Sequence, residues 1–159
     1  MASYWSISIK FNTVRSFMLQ DLLACLKAKQ DYYKTGHWQV KNTIYYADHL
    51  LLDRLASESG ARIDQVAEKI IGVTGNAALL NLPDILKKQY EYIKDLPYNA
   101  PENTVIFQTG LQMEMKLQEL CKAIDAAPES SLGVKTMVGD IANESEGRIY
   151  LLKQRLSKK

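Results

Sequence analysis

Only two histidines occur among the 159 residues, His37 and His49, and both stand near carboxylates at spacings that suit metal binding. His49 and Asp53 are four residues apart, as are Asp64 and Glu68. On a helix each pair would lie one residue above the other. Eleven steps separate Asp53 from Asp64, close to three whole turns, which leaves the two pairs within roughly 60° of each other around the axis. Four ligand-type residues therefore share one helical face. They cannot hold one ion within one chain, because Asp53 and Asp64 stand about 16 Å apart along the axis while metal–ligand bonds are about 2 Å.

A second copy of the helix removes the difficulty. If the same helix of a neighbour packs antiparallel about a twofold axis, residues equidistant from the crossing point face each other. Asp53 with Asp64 and His49 with Glu68 share one midpoint, between residues 58 and 59. One register thus assembles both pairs, twice per dimer, as an isologous interface requires. Ser57 and Gly60 share that midpoint too, and their small size would let two backbones approach. Gly60 otherwise has no evident reason to sit mid-helix, where glycine costs about 1 kcal/mol relative to alanine.

Imidazole and carboxylate with open positions suit ferrous iron and its oxidation, although such a set also binds manganese or zinc. His37 would join from the end of the preceding helix, beside His49 and Asp53. A competing reading pairs Asp53 and Glu68 with Arg54 or Arg62 as surface ion pairs, and it leaves the shared face unexplained.

The elements that position these residues read as helices nearly throughout. Apolar residues recur at threes and fours from Phe11 to Tyr33 (Phe11, Val14, Phe17, Met18, Leu22, Cys25 and Leu26). Asn12 is the expected N-cap, and Gly36 is expected to weaken or end this helix near His37. A second helix is expected from after Asn42 to about Ile71, stopped by Gly72 and Gly75. A short amphipathic helix follows over Leu82–Ile93, then a loop at 96–101. Long helices are expected from Glu102 to about Ala126 and from about Gly133 to Leu156. Four long helices and one short one between the second and third make an all-α four-helix bundle, a single domain over 1–159.

The balance of 47% apolar and 24% charged residues with a net charge of +2 is that of a globular domain and does not by itself call for a polyanion partner. The two cysteines, Cys25 and Cys121, lie far apart in apolar helical patterns, which reads as buried, inert thiols in a cytoplasmic protein. The first residues show no basic stretch followed by an apolar run, so no signal peptide is expected, and no apolar run approaches the roughly 20 residues of a membrane span. The N-terminus has no lysine before Lys10, and Lys153, Arg155, Lys158 and Lys159 make only a small basic patch on which DNA could bind.

The run His37-Trp38-Gln39-Val40-Lys41, then His49 and Asp53, then Asp64-Gln65-Val66-Ala67-Glu68-Lys69-Ile70 resembles the ferroxidase signature of the Dps miniferritins. That resemblance is strong over about residues 30–75 and architectural elsewhere. It implies a ferritin-like four-helix bundle, a dodecameric hollow shell, and ferrous iron oxidised at twofold interfaces, often by hydrogen peroxide, and stored as ferric mineral. By the match, His37, His49 and Asp53 would come from one subunit and Asp64 and Glu68 from its partner, with Trp38 close to the iron or packing at the helix end. Asp125 and Glu129, near the third-to-fourth helix junction, would be placed to line a threefold entry pore or to sit as solvated turn residues. Two positions depart from the family pattern: Asn42 stands where glycine is usual, and Leu50 where an acidic residue is usual. The larger ferritins, whose site lies inside one bundle and uses Glu-x-x-His motifs, are excluded, since Glu144 is followed three residues later by Gly147. The alternative function is a non-catalytic structural or DNA-compacting cage.

Overall fold

The computed structural model describes the backbone of residues 3–97 and 99–157, and side chains from residue 16 onward. The side chains of Phe11 and Val14 and the tail residues Lys158 and Lys159 lie outside the described residues. Regular structure among the described residues is helical: α1 (Ser3–Gln39), α2 (Tyr45–Gly60), α3 (Ile63–Thr74), a 3₁₀ turn (Ala77–Leu80), α4 (Leu82–Ile93), α5 (Asn103–Ala126) and α6 (Leu132–Leu156). None of these helices is long and apolar enough to cross a membrane.

Two apolar layers reveal the chain directions. Leu19, Leu22 and Leu26 of α1 pack with Val66 and Ile70 of α3, Leu117 and Ile124 of α5, and Val134 and Ile141 of α6. Further along α1, Ala28, Tyr33 and Val40 pack with Leu52 and Leu55 of α2, Ile106 and Met113 of α5, and Leu152 of α6. The α2–α3 path and α5 therefore both run opposite to α1, while α6 runs with it. Because α3 and α5 point the same way, their connection must return along the bundle. Residues 75–102 do so, with α4 (about 18 Å long) laid against α1. One long crossover of this kind belongs to ferritin-like bundles rather than to up-down-up-down ones.

Local chemistry explains most boundaries. Gly75 adopts φ 66° and donates its N–H to the Ile71 carbonyl at 2.7 Å, ending α3 in the left-handed conformation that glycine takes without penalty. The Asn81 side chain caps α4 through the Asp84 N–H, and Ser131 caps α6 through the Val134 N–H.

Four expectations change. Helix α1 is already helical from Ser3, so Asn12 lies inside it and is no cap. Gly36 does not end the helix; its carbonyl accepts the Val40 N–H at 3.0 Å. A Cβ there would stand 2.8 Å from Ile106 Cγ2 and 3.5 Å from Leu52 Cδ1, so glycine lets α1 approach α2 and α5. The expected second helix is two, α2 and α3, with the ladder interrupted at Ala61 and Arg62. Both keep right-handed backbone angles (φ/ψ −59°/−22° and −98°/−7°), which makes the break a kink rather than a reversal. Phe17 is not a core residue: it is exposed, with the Lys88 ammonium 3.8 Å above its ring, joining α1 to α4.

Candidate metal centre

The α1–α2 connection sets the geometry of the histidine pair. Asn42 adopts φ 77°, a left-handed conformation that asparagine tolerates better than other non-glycine residues. This accounts for asparagine at a position where glycine would serve. Buried Asn103, at the start of α5, accepts the Lys41 N–H at 3.2 Å and donates to the Lys41 carbonyl and to Asp48 Oδ2, each at 2.8 Å. Asp48 also receives Arg155 Nη2 at 2.8 Å. The first turn of α2 is therefore clamped to α5 and α6 one residue before His49.

His37 and His49 then lock one another. Each ring's Nδ1–H donates to the other residue's backbone carbonyl at 2.9 Å, and the rings stack with centroids 3.7 Å apart. A carbonyl can only accept, so Nδ1 carries the proton on both rings, and the neutral tautomer leaves both Nε2 lone pairs bare. That arrangement, one nitrogen held by a carbonyl and the other free, is how metal-binding histidines are oriented. Tyr45 also stacks with His49, ring centroids 5.0 Å apart.

Asp53 lies one turn further along α2, with Lys34 Nζ at 2.8 Å from its Oδ1. The hydrogen bond and charge of Lys34 hold its carboxyl below the usual range, and His37 and His49 add to this. The alternative ion pairs are not the ones formed: Arg54 binds Glu58, and Arg62 binds Glu144 across to α6. Lys34 was missed from the sequence although it sits three residues before His37, on the same helical face.

Asp64 and Glu68 are exposed on α3, beyond the kink. Among the described residues no three histidine, cysteine or carboxylate side chains come together as a metal cage. His37, His49 and Asp53 therefore do not close on one point within the chain, and Asp64 and Glu68 stand apart from them on α3. Gly60 has a role within its own chain: its missing side chain makes room for Gln30 of α1. Close approach of a partner backbone is not needed to explain it.

The surroundings of the histidine pair are apolar and open. Trp38 is 69% exposed, and Ile44, Tyr45, Tyr46 and Leu50 are also exposed. Cys25 and Cys121 are both buried and unpaired, and burial pushes their thiols up, to about 12 and about 11. Of the small C-terminal basic patch, Arg155 is committed to Asp48. Asp125 is exposed at the end of α5, whereas Glu129 is half-buried in the turn that follows.

No protein-family model matches the chain. DNA protection during starvation protein 2 of Bacillus anthracis is 28% identical over 97 residues, a match spanning 59% of this chain and 62% of that protein, under two thirds of its length. Dps from Thermosynechococcus elongatus superposes with a TM-score of 0.81 at 16% identity over 94% of each chain. DpsC from Streptomyces coelicolor reaches 0.83 at 20% identity, covering 94% of this chain and 87% of that one. A Dps protein from Vibrio cholerae O1, described as a member of a broad superfamily of ferritin-like diiron-carboxylate proteins, reaches 0.78 at 16% identity over 93% and 92% of the two chains. Identities this low speak for fold rather than chemistry, and the fold is the all-α, single-crossover bundle derived above. The chain therefore has the ferritin-like four-helix fold of these Dps structures, and over part of its length its sequence resembles the Bacillus anthracis protein.

Proposed function

We propose that the protein is a ferroxidase and iron store, oxidising ferrous iron at sites shared between two subunits and keeping the ferric product inside a hollow homo-oligomeric shell, a dodecamer by analogy. The observation that carries this reading is the histidine pair: two rings held in the Nδ1–H tautomer, with both Nε2 atoms free, beside the Asp53 carboxylate. Two imidazoles and one carboxylate, drawn onto one ion at the subunit interface, would leave positions open for oxidant, as ferrous-oxidising sites require. Asp64 and Glu68, separated from those three within the chain, are the ligands a partner's α3 would bring. The exposed apolar residues around His37 and His49 favour cover by another subunit over lasting contact with water.

With hydrogen peroxide as oxidant, each peroxide accepts one electron from each of two ferrous ions as its O–O bond breaks. Hydrolysis of the ferric product releases protons and forms mineral. Iron and peroxide together generate hydroxyl radical, so consuming both protects DNA and other targets without any need to bind them. The second reading, a cage that compacts DNA without catalysis, loses support from Arg155, which is held by Asp48 rather than free for phosphate.

Anaerobic ferrous titration followed by peroxide tests the reading. Ferric absorbance should grow, and Asp64→Ala with Glu68→Ala should abolish that growth while light scattering still reports the assembled oligomer. A monomer in solution, or unchanged oxidation in the variant, would refute the shared site. Trp38, adjacent to His37, should lose fluorescence on ferrous binding.

A further inference from the structure

Between the two apolar layers the bundle carries a layer of charge. Lys29, Tyr33, Glu114 and Ser145 are each 0% exposed and Arg148 is 2% exposed. Glu114 Oε1 receives Lys29 Nζ at 2.7 Å, Tyr33 OH at 2.9 Å and Arg148 Nε at 3.0 Å, while Oε2 receives Ser145 Oγ at 2.7 Å. On the other side of the guanidinium, Arg148 Nη1 stands 3.9 Å from Glu58 Oε2 on α2. Three charged residues are thus buried in the layer, Lys29 from α1, Glu114 from α5 and Arg148 from α6, while Glu58 of α2 stands at its edge, part exposed and paired with Arg54 at 2.6 Å.

Metal centres inside ferritin-like bundles are built from inward carboxylates, one or more from every bundle helix. Here the one buried carboxylate of the layer, Glu114, is compensated by two cations, Lys29 and Arg148, without any metal. A cleft of about 550 Å³ between α2 and α6, lined by Glu58, Glu144 and Arg148 among others, ends at Arg148, and Lys29, Tyr33 and Glu114 do not line it. Nor is the layer an optimised hydrogen-bond network. Lys29 Nζ and Arg148 Nη1 are buried without a well-aligned acceptor, so their placement is explained by charge more than by hydrogen bonding.

We propose that Lys29 and Arg148 stand in for metal ions at the bundle centre, occupying the Glu114 carboxylate on which an intrasubunit divalent-cation site would be built, and so confining metal to the surface. The inference deepens the proposed function, but it concerns different residues and fails or holds separately. An ammonium 2.7 Å from Glu114 Oε1 occupies the space and the charge that a divalent ion would need. Entry through the cleft meets the Arg148 guanidinium first.

The test is equilibrium dialysis of full-length protein against cobalt(II), with its visible absorption as a second readout and the metal-dependent shift in melting temperature as a third. Wild type and the Lys29→Glu, Arg148→Gln variant are compared, each also in the Asp64→Ala, Glu68→Ala background. The variant should bind one more cobalt per chain than its parent, with a new absorption band, and should melt higher with cobalt than without. The gain should be the same in both backgrounds, which separates it from the surface site. If the parent binds no cobalt at all, the surface reading fails while the gain at the centre still decides this one. A variant that folds only with cobalt present supports the proposal. A folded variant with no additional cobalt overturns it. Should the double substitution not fold under either condition, Lys29→Gln with Arg148→Gln, which removes both cations and adds no charge, is dialysed in the same way, and absence of extra cobalt on that folded chain overturns the proposal.

Discussion

Replacing Glu114 with alanine removes the buried carboxylate that compensates the charge layer. Four donors converge on it within 3.0 Å, and two of them, Lys29 and Arg148, are cations with essentially no access to water. Deleting one partner of a buried ion pair costs about 3–5 kcal/mol, because the remaining charge keeps its desolvation penalty and loses its compensation. Against a typical total of about 5–15 kcal/mol, this is a large part of the stability of the fold. In urea, with a dependence of about 1–3 kcal/mol per molar, the unfolding midpoint should fall by at least ~1 M. Circular dichroism and tryptophan fluorescence at one fixed protein concentration would follow the transition, since assembly also shifts apparent stability. Replacing all three charges together, Lys29→Met, Glu114→Leu and Arg148→Met, should destabilise less than Glu114→Ala alone, because no uncompensated charge is left inside. A loss under about 1 kcal/mol for Glu114→Ala, or a triple variant weaker than the single one, would mean that water reaches the layer and would refute the reasoning.

Other consequences follow from particular contacts. Lys34→Met should tighten ferrous or cobalt binding by roughly 2- to 5-fold in a dialysis titration, since the ammonium competes for Asp53; equal or weaker binding would show that Lys34 does not compete. Gly36→Ala should destabilise by about 1–3 kcal/mol through overpacking against Ile106, whereas Gly72→Ala, with nothing within 4 Å of the new methyl, should stabilise by up to about 1 kcal/mol in the same denaturation assay. Burial alone would raise the Glu114 carboxyl, but Lys29 and Arg148 hold it below its ordinary value of 4.5. Its ionised form therefore stabilises the fold fully above pH ~4.5, and the contribution is lost as pH falls through the lowered value. Glu114→Gln should flatten the acid limb of the stability–pH profile, and an unchanged limb would assign acid unfolding to other carboxylates.

The boundary between sequence and structure runs through individual residues. The spacing of His49 with Asp53 and of Asp64 with Glu68 is local, and helical periodicity alone places each pair on a face; the element types and the short helix before α5 follow from the same periodicity. Within α2 and α3 the residues were legible but the join was not. The break at Ala61 and Arg62 coincides with a side chain reaching across to Glu144 on α6, a partner 82 residues away. Gly60 shows the same limit: as a residue it suggested a crossing of two chains, and only the packed α1 revealed Gln30 filling its space. Lys29, Glu114 and Arg148 carry no mutual signal in the sequence, because they lie on three helices and meet only when the crossover connection sets α5 parallel to the α2–α3 path. What the sequence determined by itself was the inventory of metal-ligand types and their register along each helix, since those depend on neighbours three and four residues away. Which of them face one another, which are clamped by Asn103 and Arg155, and which charges are sealed inside were decided by tertiary packing, because burial and long-range pairing exist only once the helices are assembled.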